Sequence, residues 1–333
     1  MGVTDAYNKN ISLQGFLNYD RTFGAHHFSS LLLFNRQSFT DQKDAAVPNK
    51  FQGYSFKIGY DYLQKYLLDF NLGYNGSDRF KSGERYGLFP ALGLGWNISN
   101  EKFFNVKSIN LLKLRGSYGV VGSDVVVGNR YLYTQQYLNG DGYPFGESSV
   151  VNYPSIYEGD LGNNNVTWEK AKKLDIGIDL NMLNDKISMT IDYFRDIRYD
   201  QLITRGSISQ ILGVGTARFN IGRVLNSGFD GQISYRNNIR DFQYNITGVF
   251  SYAKNKILFQ DEATPAFPWL LRTGHPIGQT FGYTFLGFYQ DENDIANSAK
   301  PLIPVQPGDL KYQDLNGDGV IDENDMGPIG KPN

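Results

Sequence analysis

The sequence contains no cysteine among its 333 residues. Thiol catalysis and disulfide cross-links are therefore excluded, although the absence is compatible with any cellular compartment. The sequence also lacks any apolar run of about 18 residues, the length that a transmembrane helix needs. With a mean hydropathy of -0.40, no such helix is predicted. A transmembrane β-barrel remains open, because its strands show only an alternation of apolar and polar residues.

An excess of basic residues is also missing, because 32 Lys and Arg stand against 34 Asp and Glu for a net charge of -2. A nucleic-acid-binding protein would carry a basic excess, so no nucleic-acid partner is expected. Nucleophile elbow, Walker and HExxH motifs are absent, and no enzymatic activity is predicted. Asp196 and Asp200 could form the facing carboxylates of a glycosidase, but a solvated loop explains them more simply.

Aromatic residues and glycine are abundant, with 23 Tyr, 23 Phe and 37 Gly. They occur in alternating segments, of which residues 173–197 are the clearest. Apolar residues occupy every second position there, at Leu174, Ile176, Ile178, Leu180 and Met182, and again from Ile187 after a short polar link. A period of two predicts two strands joined as a hairpin. A tilted strand of about 9 to 11 residues crosses a bilayer, so this hairpin is long enough to span a membrane.

About ten such segments follow one another between residues 11 and 252, and their connections alternate between short and long. Outer-membrane barrels have short periplasmic turns and long extracellular loops. The sequence therefore predicts an all-β protein, a partial antiparallel transmembrane β-barrel with long extracellular loops. A soluble β-sandwich or solenoid also alternates, but long strands and aromatic residues at strand ends favour the barrel.

This interpretation divides the chain and orients its side chains. Residues 1–252 would form the membrane strands with their loops, and residues 253–333 would form an extracellular region. Both ends fall outside strand patterns, so we expect a fragment of a longer barrel protein. Charged residues opposite the apolar face would point into the lumen, namely Asp61, Asp69, Arg115, Asp175, Asp179 and Asp192.

One motif has the spacing of a metal site. Oxygen-bearing side chains occupy loop positions 1, 3, 5, 9 and 12, glycine occupies position 6, and a backbone carbonyl is available at position 7, as in an EF-hand calcium loop. The predicted ligands are Asp314, Asn316, Asp318, Val320 through its carbonyl, Asp322 and Asp325. Asp at position 12 is shorter than the usual Glu. The alternative is a polar turn rich in Asp, Asn and Gly, and the full ligand set favours a structural Ca²⁺.

Seven short motifs in order resemble the SusC/RagA family of TonB-dependent outer-membrane transporters. They begin at Phe89, Leu112, Leu161, Thr190, Asn220, Gly274 and Pro307, and include Leu112-Lys113-Leu114-Arg115-Gly116 and Pro307-Gly308-Asp309-Leu310 before the calcium-like loop. The resemblance implies a plugged barrel of about 22 strands. The plug at the N-terminal side and the last strands at the C-terminal side are expected to lie outside this sequence.

The resemblance also implies a function in the cell outer membrane, where lipid surrounds the strands. It implies import of an oligosaccharide or peptide ligand, powered by TonB acting through the plug region, with a SusD-like surface lipoprotein as a lid. Two alternatives stay open at this point. One is a passive porin, which needs neither plug nor lid, and the other is a secreted calcium-dependent adhesin, which would be water-soluble.

Overall fold

A computed structural model describes residues 8–40, 47–125, 130–146, 151–208, 211, 213–330 and 332. Ten long strands form its main sheet, and each contains between 12 and 22 residues. They are β1 (Lys9–Phe23), β2 (His26–Thr40), β3 (Asn49–Tyr62), β4 (Tyr66–Ser77), β5 (Tyr86–Asn97), β6 (Ile109–Ser123), β9 (Glu169–Met182), β10 (Ile187–Thr204), β11 (Arg218–Ile239) and β12 (Phe242–Phe259). Two further strands, β7 (Tyr137–Phe145) and β8 (Val151–Glu158), form a separate hairpin.

The ten strands pair antiparallel in chain order, except that β6 pairs with β9 across the inserted hairpin. The predicted number of long strands and their antiparallel arrangement are confirmed. Within the described residues, no helix has both the length and the apolar character needed to cross a membrane.

Short and long connections lie at opposite ends of this sheet, because consecutive strands run in opposite directions. The links at one end are 24–25, 63–65, 98–108, 183–186 and 240–241, of which all but 98–108 have two to four residues. Glu101 joins two of these links, because it accepts a hydrogen bond from Lys65 at 3.1 Å, and it also accepts one from Trp96 of β5 at 3.2 Å. A hydrogen bond from the Tyr66 hydroxyl, followed by those from Lys65 and Trp96, lowers the pKa of Glu101.

At the other end, the strands extend further than their alternation indicates. The alternation alone predicts a long link over residues 198–222, which is wrong in its extent, because β10 continues to Thr204 and β11 already begins at Arg218. Register shifts between Arg198 and Gln201, and again at Leu202, interrupt the period of two and hide this extension in the sequence. Likewise β12 continues to Phe259, beyond residue 252.

A small hydrophobic core closes the long-link end of the sheet. Phe80, Phe89, Val166 and Trp168 are buried together. The Trp168 ring lies 5.5 Å from the ring of Phe80 and 5.2 Å from that of Phe89, and its indole nitrogen donates to the Arg85 carbonyl at 2.9 Å. The core therefore ties the link after β4 to the start of β9.

The chain after β12 forms short elements, and among the described residues their strands pair with one another. They are β13 (Thr280–Tyr283), β14 (Phe285–Phe288), α1 (Glu292–Ala296), β15 (Lys300–Pro301), β16 (Leu310–Tyr312), β17 (Val320–Ile321) and β18 (Met326–Ile329). β13 pairs with β18, β14 with β16, and β15 with β17. Since β12 ends at the long-link end, this region begins there. It is joined to the link after β10 by Arg205, which contacts Asp261 at 3.0 Å.

Candidate functional site

The two faces of the ten-stranded sheet differ in polarity. The face that carries the polar residues of the alternating segments, predicted to line the lumen, is called the inner face. A row across the sheet is set by register, in which Gly95 lies beside Arg115, Arg115 beside Gly177, and Gly177 beside Asp192. The adjoining row on the opposite face is apolar, with Trp96 beside Leu114 and Leu114 beside Ile178. The two rows confirm that polar and apolar residues occupy separate faces.

Arg115 is the centre of the strongest polar cluster on the inner face. Its guanidinium contacts three carboxylates from two strands, Asp175 at 3.3 Å, Asp179 at 3.3 Å and Asp192 at 2.6 Å. Thr190 adds a hydrogen bond to Asp179 at 3.3 Å. Four of the residues predicted to face the lumen are thus brought into one cluster, which local alternation alone does not reveal.

Gly177 makes this cluster possible. It lies between Arg115 and Asp192 in the row, where a side chain would stand in the path of the guanidinium. A Cβ at this position would overlap Asp192 Oδ1 and would come within 2.8 Å of the Arg115 Cζ atom. Glycine is needed here for the close approach of two charged side chains rather than for backbone freedom.

The other two predicted inner residues form smaller pairs. Asp61 accepts from His27 Nδ1 at 2.9 Å, and the other ring nitrogen of His27 lies 3.2 Å from Asp20. Asp69 lies 3.6 Å from Lys57 on the neighbouring strand. The sequence pattern predicts a turn at His27, which is wrong, because His27 belongs to β2.

Asp196 and Asp200, which the sequence analysis assigns to a solvated loop rather than to a glycosidase pair, each lie beside a lysine. Asp196 lies 3.5 Å from Lys173, and Asp200 lies 3.4 Å from Lys170. Both aspartates belong to β10 and not to a solvated loop. Their neighbours are lysines on β9, so the structure gives them cross-strand ion pairs.

The calcium-like loop folds as a tight turn around Asp314. Its carboxylate accepts from the backbone N–H of Gly317 at 2.6 Å and of Gly319 at 2.8 Å. The N–H of Gly319 contributes most to lowering the pKa of Asp314. Both glycines have positive φ, 75° and 83°, which other residues rarely adopt. Asp318 accepts from Val320 N at 2.8 Å and from Asn316 Nδ2 at 2.9 Å.

Asp325, the last predicted ligand, is the most buried member of this loop. It has no exposed surface, and its carboxylate accepts from the backbone N–H groups of Leu315 at 2.8 Å, Asn316 at 3.3 Å and Asp322 at 2.9 Å. Asp322 caps the following turn through Asn324 N at 2.8 Å. Within the described part of the chain, no three acidic or histidine side chains converge as a metal site. The calcium site therefore stays a prediction.

Asp230 is a further carboxylate on the inner face and was not among the residues predicted to point into the lumen. Asp230 lies directly opposite Asp192 in the register of β10 and β11. Together with Ser188, Thr190 and Gln232, both aspartates line a cavity of about 380 Å³. The alternation around Phe229 and Gly231 already assigned Asp230 to the polar face, but only the register identifies its neighbour.

Comparison with known proteins gives one family and several relatives. The model of the family "TonB dependent receptor-like, beta-barrel" matches residues 3–317. TonB-dependent receptor P3 of Formosa agariphila is 27% identical over 361 residues, covering 96% of this chain and 35% of that protein. TonB-dependent receptor SusC of Bacteroides thetaiotaomicron is 26% identical over 374 residues, covering 99% and 36%. The chain spans about a third of the length of these curated relatives.

Among solved structures, the RagAB peptide transporter superposes with a TM-score of 0.75 at 16% sequence identity. The match covers 97% of this chain and 37% of the compared chain. The RagAB peptide importer in its open-open state gives a TM-score of 0.73, also at 16% identity. At this level of identity, the likeness shows a shared fold.

Proposed function

Because this chain belongs to the TonB dependent receptor-like β-barrel family, we propose that the complete protein imports a nutrient across the outer membrane. The chain is part of an outer-membrane β-barrel, and the predicted location and fold class are confirmed by its family. Its ten-stranded sheet forms a sector of the barrel wall.

The separation of faces is the observation that best supports a transport role. Large apolar side chains remain exposed along the strands, among them Leu17 at 69%, Leu94 at 57% and Ile246 at 65% of their surface. Acyl chains cover such surfaces in a membrane barrel, whereas they would aggregate in water. The opposite face presents carboxylates, amides and hydroxyls, which bind hydrated solutes.

We propose an oligosaccharide or peptide as the cargo, with TonB and a SusD-like surface lipoprotein as partners. The proposal is supported by similarity to SusC over nearly the whole of this chain and by the fold shared with the RagAB peptide transporter. In this mechanism the inner wall binds the solute, a lid closes the outer mouth, and movement of a plug opens the path. The family is one of receptors, and the proposed chemistry consists of binding and gating without bond formation.

Uptake in living cells tests this function. Cells that lack the full-length gene should lose uptake of the cargo, and a copy of the gene should restore it only when TonB is present. Panels of radiolabelled oligosaccharides and peptides identify the cargo class. Restored uptake in cells without TonB would indicate a passive porin, and recovery of the complete protein from the culture medium would indicate the secreted adhesin.

We further propose that Asp314, Asn316, Asp318, Val320, Asp322 and Asp325 hold one structural Ca²⁺. Support comes from the spacing of the oxygen ligands along the chain, and from the tight turn in which Asp314 accepts hydrogen bonds from Gly317 and Gly319. The lowered pKa of Asp314 keeps its carboxylate ionised at neutral and mildly acidic pH. Extracellular calcium modules bind with a Kd of about 10⁻⁴ to 10⁻³ M, and an unpaired loop should fall in that range.

Calorimetric titration of the purified full-length protein with Ca²⁺ tests the site. Asp318→Ala should abolish binding, because a ligand and its charge are both lost. Glu323→Ala removes an exposed carboxylate from the same loop that is not a predicted ligand, and should leave binding unchanged. An equal calcium response in wild type and Asp318→Ala would show that the loop is only a polar turn.

A further inference from the structure

Charged residues on the apolar side of the ten-stranded sheet, here called the outer face, share one sign. At the outer-face positions of the ten described strands, Lys and Arg occur and Asp and Glu do not. The inner face carries both signs, for example Lys173 and Asp175 on β9. Asp200 lies in the register shift of β10, where the alternation is interrupted, and pairs with Lys170 at 3.4 Å.

Most of these outer-face cations occupy the long-link end of the sheet. On the first three strands they are Lys9, Arg36 and Lys50. Arg21 lies near a short turn instead, with its guanidinium 4.8 Å from the centroid of the Phe23 ring. A surface in water normally mixes charges of both signs. A single sign at one level of the outer face therefore indicates an anionic neighbour at that level.

Four exposed cations on β9, β10 and β12 form one group, here called the outer basic cluster. They are Lys172, Arg195, Lys254 and Lys256. Arg195 lies beside Ser227 in the register, and Ser227 lies beside Lys254. Lys172 and Lys256 belong to the next row of the same face, one step closer to the long links. The cluster thus consists of two pairs of cations with β11 between them.

The outer basic cluster has no counter-charge within the chain. Among the described residues, none of its four members has a carboxylate oxygen within 4.0 Å, because the nearby aspartates of β10 pair with Lys170 and Lys173. The Nζ atom of Lys172 lies 5.2 Å from the centroid of the Tyr199 ring. This contact does not neutralise the lysine. All four positive charges are therefore available to anions from outside the chain.

The height of the cluster on the barrel matches the edge of the hydrocarbon layer. The adjoining row contains Tyr193, Phe229 and Tyr252, and aromatic rings are typical of the membrane interface. Lys254 follows Tyr244, near a short turn, by ten positions. This separation corresponds to about 33 Å along the strand and, at a tilt of about 40°, to about 25 Å across the membrane. The apolar band of such barrels is about 25 Å tall, so the cations lie at the level of the lipid headgroups.

We propose that the outer basic cluster binds the phosphates of a glycolipid in the outer leaflet of the outer membrane. The outer face contacts lipid, and long links are extracellular in barrels of this kind, which selects the outer leaflet. Arg195 and Lys254 are two strands apart, about 10 Å. Two pairs of cations at this spacing suit a headgroup with two phosphates better than a phospholipid with one. This surface lies outside the lumen and adds a lipid partner to the proposed import function.

Three lipids distinguish phosphate recognition from acyl-chain binding. They are diphosphoryl lipid A, its phosphate-free form and phosphatidylglycerol, and native mass spectrometry of the purified full-length protein in non-ionic detergent measures the bound fraction of each. Diphosphoryl lipid A should bind about tenfold or more tightly than the phosphate-free form, the effect of a charge-assisted contact. It should also bind more tightly than phosphatidylglycerol, and added salt should reduce both preferences.

Paired substitutions locate the contact on the barrel. The double variant Lys254→Gln/Lys256→Gln should reduce the preference for phosphate about tenfold, whereas Lys254→Arg/Lys256→Arg keeps the charge and should keep the preference. Lys107→Gln/Lys186→Gln is the matched control, because it removes two exposed cations from links at the opposite end of the sheet. The control should bind all three lipids as the wild type does.

Equal binding of lipid A with and without phosphate would overturn the inference, and so would equal binding of phosphatidylglycerol and diphosphoryl lipid A. An unchanged preference in Lys254→Gln/Lys256→Gln, or the same loss in the control, would also contradict it. The comparison of lipids on the wild type needs no variant, so it remains decisive if a substitution prevents folding. Lipid binding is measured without transport, so its failure is distinct from a failure of TonB-dependent uptake.

Discussion

At the scale of single residues, Gly177 controls whether the charged cluster can form. A Cβ there would overlap Asp192 Oδ1, whereas a Cβ at Gly248 in β12 meets no atom within 4 Å. Gly177→Ala should therefore destabilise the folded barrel by about 1 to 3 kcal/mol, and Gly248→Ala should have little effect. Denaturant unfolding of the full-length protein in lipid vesicles measures both. Equal stability of the two variants would show that the cluster adapts to a side chain at Gly177.

Two neighbouring residues in the middle of β3 test the assignment of faces. Phe56 lies on the apolar face between Leu32 and Leu72, and Ser55 lies on the polar face. Phe56→Arg places a cation in the lipid near the bilayer midplane and should cost about 2 to 4 kcal/mol, whereas Ser55→Arg points into the lumen and should cost much less. The same vesicle unfolding assay applies. Similar penalties at the two positions would contradict a lipid face and a lumen face.

At the scale of elements, antiparallel pairing places the short turns on one side of the membrane and the long links on the other. Asp141 in the β7–β8 hairpin and Glu292 in α1 should be extracellular, while Lys102 and Asp241 in short turns should be periplasmic. Single cysteines at the first two positions of the full-length protein should react with a membrane-impermeant thiol reagent on intact cells. Cysteines at the last two should react only after the outer membrane is opened. Labelling of Asp241→Cys on intact cells would contradict this assignment and would indicate that the short turns are extracellular.

At the scale of the whole molecule, the sheet cannot satisfy its own surfaces in water. Within the part of the chain that the structure describes, β1 and β12 each pair with one neighbour only, and unpaired edges promote aggregation. A broad apolar face adds to this tendency. The 333-residue polypeptide should therefore aggregate without detergent, which light scattering and size-exclusion chromatography can measure. A monodisperse preparation with a cooperative thermal transition would favour a water-soluble fold.

Alternation by itself determined the strands and their two faces, because side chains along a strand change face at every residue whatever the strand pairs with. It predicted the ten long strands of the sheet and the inner position of Arg115, Asp175, Asp179 and Asp192. It failed beyond Arg198 in β10, where a register shift breaks the period. The calcium ligands also follow from spacing along the chain, and they stay a prediction.

Only the tertiary structure decided which residues meet across strands. Arg115 is 60, 64 and 77 positions away in sequence from Asp175, Asp179 and Asp192. Their contact depends on the pairing of β6 with β9 across the inserted hairpin, and on the register of each pair. Asp192 and Asp230 likewise become neighbours only through the register of β10 and β11. Local periodicity fixes which face a side chain occupies, whereas register, a property of two strands at once, fixes its neighbours.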